Sequence, residues 1–306
     1  MELDKVIIIK KKTAMEELLV RHSTKTQAEF YLKTAGHSSD AYQSAENVYQ
    51  QGLSDTTHLV PKNVRSQVVD REHLSTYQFS KKDLVVVVGD PGLFINAAKY
   101  VGEQPVIVVN PDRERFDDVL STCDVSGLPG ILENALAGRM NTEALTMAEA
   151  VLNDGQRITA LNDLFIGRRT HVSARYTIEH QDKTERQSTS GVVVSTGTGS
   201  TGWLMSFKTW TESITEHDSE YPFPVPFGRD EDHLIFNVRE PFPSKVTGTE
   251  IVRGMVTGRY PLIIQSNMPE DGVIFSDGVE RDYLEFTSGR TATIKPSDTR
   301  VYLVRK

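Results

Sequence analysis

Two short segments concentrate residue types suited to a phosphorylated ligand. Ser195-Thr196-Gly197-Thr198-Gly199-Ser200-Thr201-Gly202 gathers five hydroxyls and three glycines immediately before Trp203. Glycines let backbone N–H groups approach a phosphate or ribose, and hydroxyls add rotatable donors. The second segment, Gly89-Asp90-Pro91-Gly92, follows an aliphatic run at 84–88. A turn at the carboxyl end of a buried parallel strand is where open α/β sheets hold ligands. A third segment, 160–167, sets Asn162-Asp163 just before an apolar strand. Each has a plain structural alternative: a Gly/Ser/Thr turn, an ordinary βα turn, a strand entry. Lys10-Lys11-Lys12 reads as a solvated charge run.

Other chemistries are excluded by what the chain lacks. There is no Gly-Lys dipeptide, hence no Walker A loop, and no Ser in a GxSxG elbow. The eight His never fall at metal-ligand spacing with one another, and Cys123 stands alone, so neither a zinc cluster nor an intrachain disulfide is available. A lone cysteine points to a reducing, cytoplasmic compartment. With 34 basic and 42 acidic residues the net charge is −8, which argues against a nucleic-acid partner. The run at 84–88 is far short of a membrane span, and residues 1–5 show no signal-peptide pattern.

The elements that must position these segments fall into two classes. In the first half, strand and helix signals alternate. A β-branched run at 6–9 is followed by Thr13-Ala-Met-Glu16, a capping box opening a helix with Met15, Leu18 and Leu19 on one face. Further helices are expected at 26–34, stopped by Gly36, and at 40–51, stopped by Gly52. Residues around Val68 look extended. The run at 84–88, a helix at 94–101 and a strand at 106–109 form a βαβ unit. From Thr159 onward the pattern is short strands, at 164–166, 174–178, 192–194, 234–238, 262–264, 273–275, 292–294 and 301–304, with Asp154-Gly155, Asp271-Gly272 and Asp277-Gly278 as turns. Helices are expected only at 143–152 and 203–214, and 216–232 reads as a long surface loop. At 306 residues, two domains follow: 1–140, α/β with a Rossmann-like parallel sheet, and 141–306, β-rich, its last strands free to pack back on the first. Gly197 to Gly202 matches GxGxxG, but its β-rich flanks do not continue as βαβ, which disfavours a dinucleotide fingerprint.

In combination these motifs resemble the NAD kinase family, with the likeness running over about residues 84 to 295. The carrying stretches are Val108-Val-Asn-Pro-Asp112, Ala160 to Gly167, Thr196-Gly-Thr-Gly-Ser200 with Trp203, and Phe236-Asn-Val-Arg-Glu-Pro241, closest to the mitochondrial-type branch. The resemblance implies a two-domain NAD kinase fold and ATP-dependent phosphorylation of the 2′-hydroxyl of NAD, with a divalent metal such as Mg2+ and a homo-oligomeric protein. It implies that Gly89, Gly92 and Leu93 meet ATP. Asn162 and Asp163 would hold the dinucleotide, and Ser190 falls where many relatives carry an acid. Thr198, Ser200, Thr201 and Gly202 would line the pocket, with Trp203 as a stacking surface. Asp277-Gly278 resembles the family's late Asp-Gly turn. The alternatives are a nucleotide-binding pseudoenzyme and a kinase for another hydroxyl.

One departure bears on catalysis. A gapless alignment sets Gly89 to Gly92 against the family's Gly-Gly-Asp-Gly, so the catalytic Asp position is Pro91 and Asp90 stands one residue early, its Cα ~3.8 Å away. Proline also removes a backbone donor. General-base catalysis contributes ~10²–10⁴-fold, whereas phosphoryl transfer depends mainly on positioning and charge stabilisation. The expectation is that Asp90 has taken over the role, because an unpartnered carboxylate beside a phosphate would weaken ATP binding.

Overall fold

The computed structural model describes residues 3–116, 119–215 and 221–306. The chain divides into two compact units, Met1–Glu143 with Val301–Lys306, and Ala144–Arg300.

In the first unit, aliphatic runs that cannot face water form the centre of a parallel sheet. Its order is Arg65–Asp70, Lys5–Lys10, Asp83–Val88, Pro105–Asn110, then Tyr302 and Leu303 of the last strand. Residues 6–9, 84–88 and 106–109 are all buried, as cover on both faces requires. The βαβ unit is present: helix Pro91–Ala98 connects two adjacent parallel strands, with Val85 beside Val106. Thr13 closes the expected capping box on helix Ala14–His22. Its hydroxyl accepts from the Glu16 amide at 3.2 Å and its own amide donates to the Glu16 carboxylate at 2.8 Å.

Two helices depart from expectation. The one expected to stop at Gly52 runs on as Ser39–Leu59. Gly52 serves contact instead of termination, because a Cβ there would come within 2.5 Å of Pro111 Cβ. Helix Leu128–Leu136, not anticipated, buries Leu128, Leu132 and Ala135 against the sheet's aliphatic side chains.

The second unit is a two-sheet sandwich. One sheet has the order Arg253–Val256, Leu234–Val238, Val192–Ser195, Asp163–Arg168, Gly272–Ser276, Val279–Glu285, all antiparallel. Its inward residues, including Ile166, Val194, Phe236 and Ile274, share a core with Tyr176, Ile178, Ile264 and Ile294 of the facing sheet. The opposite face carries Phe165, Val193, Val273 and Phe275, the alternate positions of the same strands.

The expected helix at 143–152 is a strand, Asn141–Leu152. Its Glu, Ala, Leu and Met are good helix formers, but residues 145–150 are buried on both faces and residues 148–151 pair with Arg157–Ala160, so tertiary context overrides propensity. The runs at 292–294 and 301–304 belong to one strand, Thr291–Arg305. Of the expected surface loop, 216–220 lies outside the described residues. The remainder has no helix or strand, yet Tyr221, Val225 and Phe227 are buried with Leu204 and Ile235, so it is an anchored connection. Among the described residues, no helix is long and apolar enough to cross a membrane.

Candidate functional site

In the first unit the turn after Asp83–Val88 is a helix start. Asp90 is the N-cap of Pro91–Ala98: its Oδ1 accepts from the Leu93 amide at 2.9 Å, and Pro91 sits at the first helical position. Proline costs nothing there, because that N–H has no intrahelical partner and φ is already suitable. The other carboxylate oxygen, Oδ2, forms a close ion pair with Lys11 Nζ. Asp90 is therefore not the unpartnered carboxylate that sequence reasoning took it for. A helix amide and an ammonium account for its presence without a nucleotide.

Tyr49 ties this corner together. Its hydroxyl donates to Val88 O at 3.1 Å and accepts from the Lys11 amide at 3.0 Å, joining the ends of two neighbouring strands. Burial pushes the phenol up to about 12, so it stays protonated and able to donate. Gly89 and Gly92 flank Asp90 in this turn, and Gly89 donates to Val109 O at 3.0 Å. Leu93 does not fit the phosphate role expected of it, because its amide is taken by Asp90 and its side chain is buried. The three lysines are also more than a solvated run: Lys10 pairs with Asp70, Lys11 with Asp90 and Lys12 with Glu72. No local pattern reveals these partners, which lie 60 or more residues away.

In the second unit, Asn162 and Asp163 lie at a turn leading into Asp163–Arg168, directly under the glycine-rich loop. The Thr196 amide donates to Asn162 O at 2.9 Å. A Cβ at Gly199 would overlap that same carbonyl, and one at Gly197 would overlap Gly228 O. Gly197 and Gly199 serve close chain packing.

Most of the loop's hydroxyls are spent internally. Ser195 Oγ donates to Asp163 Oδ1, Thr196 Oγ1 to Leu161 O, and Ser200 Oγ to Gly197 O at 2.6 Å. Ser200 is fully buried. Two polar atoms nearby are buried without a hydrogen-bond partner among the described residues, Asn162 Oδ1 and Thr198 Oγ1. Such atoms carry a desolvation cost that a bound donor or acceptor would relieve. Removal from water is the main cause that raises the Asp163 carboxyl to about 7; the nearby Asp277 charge adds to it and the Ser195 hydrogen bond opposes it.

Trp203 begins helix Trp203–Ile214 next to the exposed Thr201 and Gly202. Its ring stacks on Phe165 at 6.0 Å between centroids and 8° between planes, and the Arg239 guanidinium lies 5.5 Å from the indole centroid. Trp203 and Arg239 border two cavities, one of about 230 Å³ with Trp210 and Glu240, the other of about 220 Å³ with Phe275, Arg168 and Arg169. Ser190, which falls where many relatives carry an acid, donates its hydroxyl to Glu240. Sequence reading missed Lys11, Tyr49, Arg239 and Glu240. The last two lie within the quoted 236–241 stretch, where their types alone gave no role.

The strand Val192–Ser195 before the Gly197–Gly202 loop is antiparallel to both neighbours, so the loop is not a βαβ dinucleotide fingerprint. An α/β unit followed by a β-sandwich is the fold of solved NAD and NADH kinases. The chain superposes on yeast NADH kinase complexed with NADH with a TM-score of 0.62 at 15% identity, covering 100% of this chain and 84% of that one. An NAD kinase from Archaeoglobus fulgidus in complex with ATP gives 0.58 at 15% identity, covering 98% and 93%.

Sequence relatives agree. A probable NADH kinase of Oryza sativa subsp. japonica is 25% identical over 221 residues, 64% of this chain and 63% of that protein. An NAD kinase of Geobacter sp. (strain M21) is 31% identical over 160 residues, 47% of this chain and 52% of the relative. The chain thus spans between about half and 63% of the length of these relatives. No protein-family model matches the chain. The resemblance to the NAD kinase family is carried by sequence relatives and fold alike.

Proposed function

We propose that the protein is an ATP-dependent phosphotransferase that phosphorylates the 2′-hydroxyl of the adenosine ribose of NAD or NADH. The observation that carries this reading is the pair of unpartnered buried atoms, Asn162 Oδ1 and Thr198 Oγ1, beside the glycine-rich loop. A ribose hydroxyl can donate to the first and accept from the second. Asn162, Asp163, Thr198, Thr201 and Gly202 form the dinucleotide pocket in this reading. Trp203 supplies its stacking surface, and Glu240, held by Ser190, supplies an acid.

Gly89, Asp90 and Gly92 belong to the ATP side of the reaction. In this reading Lys11 leaves Asp90 for the nucleotide phosphates, freeing Oδ2 as a proton acceptor while Oδ1 stays on the helix amide. Magnesium enters with ATP as part of the substrate. Among the described residues no group of three His, Cys, Asp or Glu side chains stands ready to hold a metal. A cytoplasmic setting fits the single buried thiol of Cys123, and we read the protein as homo-oligomeric, as the resemblance implies. Titration calorimetry tests the substrate class. NAD, NADH or NADP should bind with micromolar or tighter affinity, and sugars and lipid headgroups should give no heat. Heat from one of those and none from any dinucleotide would overturn the assignment.

A further inference from the structure

We propose that Asp277 is a positioning residue that sets the dinucleotide pocket by filling a backbone nest beneath it. The inference rests on the reading of the second unit as dinucleotide-binding. Asp277 and Gly278 form the turn between Gly272–Ser276 and Val279–Glu285, both with positive φ, 54° and 69°. From that turn the Asp277 carboxylate accepts from three consecutive amides: Leu161 at 3.1 Å, Asn162 at 2.7 Å and Asp163 at 3.3 Å. Its own amide returns a hydrogen bond to Asp163 O at 2.9 Å.

Three successive N–H groups converging on one point make an anion-binding concavity. Here the anion is built into the chain. Its effect reaches further, because the Asn162 carbonyl fixed by this turn accepts from Thr196 and is the surface against which Gly199 packs. One carboxylate thereby orders the 161–163 turn and, through it, the 196–199 loop. Those two segments carry the unpartnered Asn162 Oδ1 and Thr198 Oγ1. Asp277 touches no reacting atom in this scheme; it acts through Asn162 and Thr198.

The test compares Asp277→Asn and Asp277→Ala with the wild type. Asn keeps one acceptor but turns an amide donor toward amide donors, whereas Ala leaves all three without an acceptor. Stranding buried donors costs enough to weaken NADP binding by ~10-fold or more in calorimetry, while the Kd for ATP should stay within about twofold. Amide hydrogen exchange at 161–163 should accelerate by ~10-fold or more in both variants, with the rest of the sandwich unchanged. A purely structural role would instead lower Tm and weaken both ligands together, and that result would overturn the proposal. So would unchanged exchange at 161–163, whatever the affinities. If Asp277→Ala does not fold, Asp277→Asn decides. If the wild type binds no dinucleotide, the substrate reading fails, and the exchange data still judge the clamp.

Discussion

Lys11 and Asp90 stand 79 residues apart in sequence and form a half-buried ion pair beside the turn that ends the central strand of the first unit. In the proposed reaction the pair is a competition, since an ammonium cannot at once neutralise Asp90 and meet a nucleotide at full strength.

Asp90 is the first point of attack. Asparagine caps helices about as well as aspartate, so Asp90→Asn should leave Tm within a few degrees of the wild type. If Oδ2 is the proton acceptor, NADP formation at saturating ATP and NAD should fall by ~10²–10⁴-fold. Pro91→Asp should add little, because position 91 is the first residue of the helix and not its cap. Equal activity in Asp90→Asn and wild type would leave Asp90 with its helix cap and its Lys11 ion pair alone.

Removing the cation separates its two duties. Lys11→Met should raise the KM for ATP by ~10-fold or more, the scale of a lost charge-assisted hydrogen bond, and leave the Kd for NADP unchanged. An unaltered ATP KM would confine Lys11 to its ion pair.

Trp203→Ala should weaken dinucleotide binding by ~1–3 kcal/mol, the order of a lost base–aromatic stack. Phe165 and Arg239 already lie close to this ring, so some of the loss will show as lower Tm. Calorimetry at a temperature where both proteins are folded isolates the binding part, and equal Kd values would remove Trp203 from the pocket.

Asp163 gives a pH prediction with a definite sign. Its folded carboxyl titrates near 7, above the ordinary 3.8, so between about pH 4 and pH 7 the folded state binds more protons than the unfolded one. The Asp163 contribution to stability therefore falls as pH rises through that window and levels off above 7, by at most about 4 kcal/mol. In Asp163→Asn that fall should disappear. Parallel denaturant curves for the two proteins across this range would contradict it.

Legibility followed the range of the determining interaction. The capping box at Thr13 and the buried strand at 84–88 depend on neighbours in sequence and were readable there. The helix start at Asp90-Pro91 was equally local, an N-cap followed by a first-turn proline, but comparison with the family's Gly-Gly-Asp-Gly drew attention to the lost aspartate instead. The strand Asn141–Leu152 was hidden because its residues favour helix and only burial on both faces decides otherwise. Gly52 and Gly199 read as a helix stop and a ligand loop; in the fold both make room for a distant chain, Pro111 in one case and the Asn162 carbonyl in the other. The Asp277 clamp links positions more than a hundred residues apart, so a motif could mark the residue and not its partners.

Phosphoryl transfer from ATP to a dinucleotide is tested most directly by a coupled assay of NADP formation. Purified protein with ATP, magnesium and NAD or NADH should form NADP(H) in proportion to enzyme, at a rate that Asp90→Asn lowers by ~10²-fold or more. No NADP(H) above the enzyme-free control, from a folded protein that binds both ligands, would contradict the account.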